Sequence, residues 1–88
     1  MKKNIKINQL INVINRSIFN IGDISVDKNG LDNLKKYLND ILLELSSKFD
    51  NIKNPEIELS ANTSNSKNIH IVVNILINDQ ESSLIFNI

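Results

Sequence analysis

The chain has 88 residues with ten basic and ten acidic side chains, 41% hydrophobic residues and no cysteine. That length supports a single domain over residues 1–88, and the balanced charge removes the long-range field that would gather nucleic acid or an anionic membrane. Without cysteine there are no disulfides, thiolate metal sites or cysteine nucleophiles, and a reducing cytoplasm is the expected setting.

Isoleucine and asparagine each occur sixteen times, beside nine lysines. All three have AT-rich codons, so the bias is read as the mark of an AT-rich genome rather than of prion-like behaviour. The first residues carry the positive flank of a signal peptide, but Asn4, Lys6, Asn8 and Gln9 interrupt its apolar segment. The longest apolar stretch, Ile69 to Ile77, contains His70 and Asn74 and falls far short of the ~20 residues of a spanning helix. Neither export nor membrane insertion is expected.

From Ile7, apolar residues at 7, 10, 11, 14, 18 and 21 make a stripe about 100° wide, the pattern of an amphipathic helix. Its polar side holds Asn8, Gln9, Asn12, Asn15 and Arg16, so one charge serves nearly the whole helix. Val13 and Phe19 lie off the stripe on opposite sides. The connector Asn20 to Lys28 reads as loop, although Asp-Ile-Ser-Val within it has strand character.

A second stripe runs through Leu31, Leu34, Leu38, Ile41, Leu42, Leu45 and Phe49, with Leu43 facing away from it. Asp27 or Asn29 is the expected cap, and Asp32 suits the positive end of the helix dipole. Asp32 with Lys36 and Glu44 with Lys48 are favourably oriented pairs four residues apart.

Beyond Pro55 the period changes to two. Glu56 to Asn62 alternates Ile57, Leu59 and Ala61 against Glu56, Glu58, Ser60 and Asn62, as a half-solvated strand does. After a polar loop from Asn62 to Asn68, Ile69 to Ile77 forms a second strand with His70, Val72, Asn74 and Leu76 on its reverse face. Asn78 to Glu81 is read as a turn into a third strand, Ser82 to Ile88. The expected architecture is α+β: two N-terminal helices on one face of a three-stranded antiparallel meander, α-α-β-β-β.

Chemistry-bearing patterns are few. Placing Gly30 at the sixth position of a calcium loop puts Ser25 first and Lys36 twelfth, where a bidentate glutamate is required, so that reading fails. His70 is the sole histidine, with no partner that the sequence can place beside it. Gly22 and Gly30 stand apart from any phosphate-binding loop. No catalytic residue, cofactor or metal is expected. A winged-helix reading lacks its third helix and a basic recognition helix.

Three surfaces remain without an obvious covering. The stretch Ser82 to Ile88 is chargeless and lies at a sheet edge in a simple meander. The reverse sheet face carries Val72, Leu76 and Ile85 around His70 and Asn74. The undercharged first helix carries Val13 and Phe19. With Leu43, these eight residues are the candidate contacts. The expected function is a non-enzymatic protein-binding module: a homodimeric adaptor working through strand 82–88 or the open face, or an inhibitor of a larger complex, the kind of small protein that phages and mobile elements use against host defences. Two alternatives are a nucleic-acid-associated regulator using Lys2, Lys3, Lys6 and Arg16, and a small enzyme centred on His70.

Overall fold

Five elements follow the expected order in the computed structural model, which describes residues 3–22, 24, 27–62 and 68–88, the side chains of residues 62 and 68 excepted. They are α1 (Ile7–Ile21), α2 (Lys28–Lys48), β1 (Ile52–Asn62), β2 (Asn68–Ile77) and β3 (Gln80–Asn87). The strands form one antiparallel sheet in the order β1-β2-β3, so β2 is central and both neighbours are edges. Both helices lie on one face of that sheet, with α2 packed on β1.

The stripe of α1 buries Leu10 and Ile14 completely, with Ile11, Ile18 and Ile21 packed at the margin, while Ile7 stays 44% exposed at the helix start. Gln9 Oε1 accepts from the Lys6 backbone N–H at 3.0 Å, which closes the first turn. Gly22 ends the helix at φ 79°, a conformation suited to a residue without Cβ.

Of the two candidate caps for α2, Asp27 fills the role: its Oδ1 accepts from Gly30 N–H at 2.7 Å. Asn29 lies inside the helix. Because α2 starts at Lys28, Asp32 falls beyond the first turn, where the dipole has little hold on it. Glu44 and Lys48 meet at 3.0 Å. Within the connector, Asp23, Ser25 and Val26 lie outside the described residues, and the strand character of that stretch lies outside them too; the two ends of the connector are helical. Residues 63–67 of the polar loop also lie outside them.

β1 begins at Ile52 rather than Glu56 and runs through Pro55. Proline is tolerated there because β1 is an edge strand and the position coincides with a bulge. Lys53 pairs with Leu76 and Glu56 with Asn74, so β1 carries one residue more than β2 over that interval. Asn54 adopts φ 55° to accommodate it. The extra residue lets Ile52 and Ile57, an odd number of positions apart, both face the helices and become buried.

The β2–β3 turn is also shorter than its sequence suggests. Asn78 and Asp79, at φ 53° and 64°, form a two-residue hairpin loop, and Gln80 and Glu81 already pair with Ile77 and Leu76. Positive φ at both central residues is the type I′ requirement, which Asn and Asp tolerate better than most. Glu81 therefore belongs to β3, and the strand is chargeless only from Ser82 onward.

Buried residues of all five elements, together with Ile5, form one hydrophobic cluster. The segment before α1 pairs with the end of α2, Lys3 bridging Phe49 in parallel fashion, with Asp50 N–H donating to the Lys3 carbonyl at 3.0 Å. Residues 4–7 share a recess with Asn51, Ile77, Asn78, Gln80 and Ser82, which sets the start of α1 at the end of the sheet where β1 and β3 begin. With α2 over β1, the buried Leu84 and Phe86 of β3 are left for α1 to cover, which puts α1 in the helix layer on the β3 side.

Candidate functional site

The sheet face opposite the helices is ordered in four cross-strand rows. Lys53, Leu76 and Glu81 make the first, Glu56, Asn74 and Ser83 the second, Glu58, Val72 and Ile85 the third, and Ser60, His70 and Asn87 the fourth. Alternation along each strand puts these residues on one side once the bulge has set the phase of β1.

The register orders the apolar residues of this face. Val72 and Ile85 are direct cross-strand neighbours, whereas Asn74 separates Leu76 from them. Ile85 is 60% exposed; Val72, Asn74 and Leu76 are half-buried. Asn74 is occupied locally, its Oδ1 accepting from Ser83 Oγ at 2.6 Å. Along β1, Glu56 and Glu58 form an exposed acidic column beside the apolar pair, and Lys53 lies 3.9 Å from Asp79. The face is thus acidic, with a small apolar centre.

His70 Nδ1 and Asn87 Oδ1 lie 2.7 Å apart, a hydrogen bond when Nδ1 carries the proton. Ser60 is opposite His70 on the other side, so a hydroxyl, an imidazole and an amide share one row. All three are exposed, and water around the row screens the electrostatic stabilisation that nucleophilic catalysis needs. Among the described residues, no cluster of three His, Asp or Glu side chains is placed to hold a metal ion, and no helix is long and apolar enough to cross a membrane.

His70, Val72, Asn74, Leu76 and Ile85 therefore share the open face, whereas the other three candidates lie in the helix layer. Val13 is half-buried on one flank of α1, Phe19 is 85% exposed on the other, and Leu43 is 52% exposed on α2. The eight residues do not form one surface. Absent from the sequence reading of the site were Glu56, Glu58, Ser60, Ser83 and Asn87. The alternation of β1 and β3 carried that signal, but only the register shows which of them stand beside Val72 and His70. A recess of about 480 Å³ between the end of α1 and the start of α2, lined by Ile21, Ile24, Leu34 and Tyr37, was likewise unanticipated. Of the basic N-terminal residues, Lys2 lies outside the described residues; Lys3, Lys6 and Arg16 are exposed.

Fold and face together define a small two-layer α+β domain with one side of its sheet uncovered among the described residues. No family model, curated protein or solved structure matches the chain.

Proposed function

We propose that the chain is a small non-enzymatic protein-binding module, an adaptor or an inhibitor of a larger complex, that docks a partner on the open sheet face. The observation carrying this reading is the Val72–Ile85 pair, apolar and open, set beside the acidic column Glu56–Glu58. The complementary partner presents an apolar side chain bordered by lysine or arginine, because charge complementarity steers the encounter and apolar contact holds it. The absence of cysteine supports a cytoplasmic setting. Size and AT-rich composition support an origin on a phage or mobile element.

Affinity capture from the native cell tests the reading with two variants. Val72→Lys puts a cation opposite Glu58, where the fold tolerates it, and should abolish retention of the captured protein. Leu43→Lys, on the helix layer, should retain it. A native chain that holds no protein beyond what Val72→Lys holds overturns the reading.

A further inference from the structure

We propose that two copies of the chain pair through the outer edges of β3, antiparallel about a two-fold axis at Ile85, to form one continuous sheet with three strands from each copy. A second copy is thereby named as the occupant of the β3 edge, which adjoins the open face and shares Ile85 with it, whereas Val72 belongs to the open face alone.

The two sheet edges differ. β1 is blunted by Pro55, by its bulge and by the charges of Lys53, Glu56 and Glu58, the devices that prevent strand addition. β3 has none of these from Ser82 to its end.

Hydrogen-bond phase selects the groups that β3 offers. Ile69 and Ile88 exchange both backbone bonds, at 3.0 and 3.3 Å, so alternate β3 residues Phe86, Leu84 and Ser82 also turn their backbone groups toward β2. Glu81, Ser83, Ile85 and Asn87 consequently turn theirs outward, and all four are exposed. Pairing two such edges requires outward residues to face outward residues. Centring the axis on Ile85 meets that condition, with Ile85 opposite its own copy and Ser83 opposite Asn87.

The same register matches side chains. Leu84 faces Phe86 of the other copy on the helix side, Ile85 faces Ile85 on the open side, and Glu81 lies beyond the paired stretch. Ile85 with Ile85 and Leu84 with Phe86 are apolar pairs and Ser83 with Asn87 a polar one; Ser82 opposite Ile88 is the one mixed pair, and no like charges meet.

Edge pairing alone is small against the ~1,000 Å² that a stable interface buries. The adjoining flank of α1 supplies further area. Val13 and Ser17 are half-buried on the flank facing α2, whereas Asn8, Asn12, Asn15 and Phe19, spaced along the opposite flank, are exposed. With α1 on the β3 side, that second flank overlooks the edge. It carries no charge and ends in Phe19, 85% exposed, and pairing of the strands brings it toward its counterpart. An uncharged row at this place is what a two-fold contact between identical helices requires.

Light scattering on the full chain tests the proposal. The native chain should weigh twice its 10.0 kDa. Ile85→Lys and Ile85→Glu each place like charges face to face on the axis and should dissociate it, raising the dimer dissociation constant by about tenfold or more. Circular dichroism confirms that both variants are folded, as substitution at an exposed site permits. Mixing the two variants should restore the doubled mass, because the introduced ammonium of one chain then faces the introduced carboxylate of the other only in this register. A native chain at single mass throughout, a dimer indifferent to both substitutions, or a mixture that stays at single mass overturns the proposal. Val72→Lys, which removes the open-face contact, should leave the doubled mass unchanged; if it dissociates the dimer, the open face and not the edge joins the copies.

Discussion

The side-chain amide of Asn51 holds the backbone of Ile5 at both of its polar groups: Oδ1 accepts from Ile5 N–H at 2.9 Å, and Nδ2 donates to the Ile5 carbonyl at 2.7 Å. Asn51 mimics a strand neighbour for a segment 46 residues away, and its own carbonyl accepts from Asn78 N–H at 2.8 Å. One residue therefore joins the N-terminal segment, the start of β1 and the hairpin. Asn51→Ala removes both bonds to Ile5 and a longer one from Nδ2 to Asn78 Oδ1 at 3.3 Å, and should lower stability by about 1–3 kcal/mol. Asn51→Asp retains the acceptor but faces the Ile5 carbonyl with a second acceptor, and should be no more stable than the alanine variant. Urea unfolding with an unchanged m value measures both.

The β1 bulge makes an opposed pair of predictions. Deleting Asn54 removes the extra residue, so the chain must turn either Ile52 or Ile57 out of the core; cooperative thermal unfolding should be lost. Asn54→Gly keeps the count and relieves the positive φ, and should stabilise by a few tenths to about 1 kcal/mol. A deletion variant that melts like the native chain would refute the bulge.

Asp79 occupies the second position of the type I′ turn, where glycine is favoured. Asp79→Gly should raise stability by about 0.5–1 kcal/mol. The exposed 3.9 Å contact with Lys53 offers little to lose, and Lys53→Ala should shift the melting temperature little by comparison.

Gly22 has open space where a Cβ would stand, yet its φ of 79° disfavours any side chain. Gly22→Ala should therefore cost about 1–3 kcal/mol through backbone strain alone. Calorimetry distinguishes this from a packing defect, because Gly22→Asn, larger than alanine but more tolerant of positive φ, should cost less than Gly22→Ala.

Both helices and the three strands were legible because each buries one face and therefore repeats at its own period. The stripe through Leu34, Leu38 and Leu42 became the buried face of α2, and the alternation through Ile71, Val73 and Ile75 became the buried face of β2. Residues 52–55 do not read as strand because the alternation that begins at Ile57 does not reach Ile52; a bulge breaks the period it is read from. Gln80 and Glu81 read as turn because polar residues carry no sign of pairing.

Local patterning was enough to set the order of elements and which face of each would be buried, since burial patterns repeat within a few residues. Who stands beside whom was settled only in three dimensions. That Val72 lies opposite Ile85 and apart from Leu76, that Glu56 and Glu58 line the same face, and that Asn51 reaches Ile5 all follow from register and chain crossing. Hydrogen bonds between residues far apart in sequence establish these relations, and no local period records them.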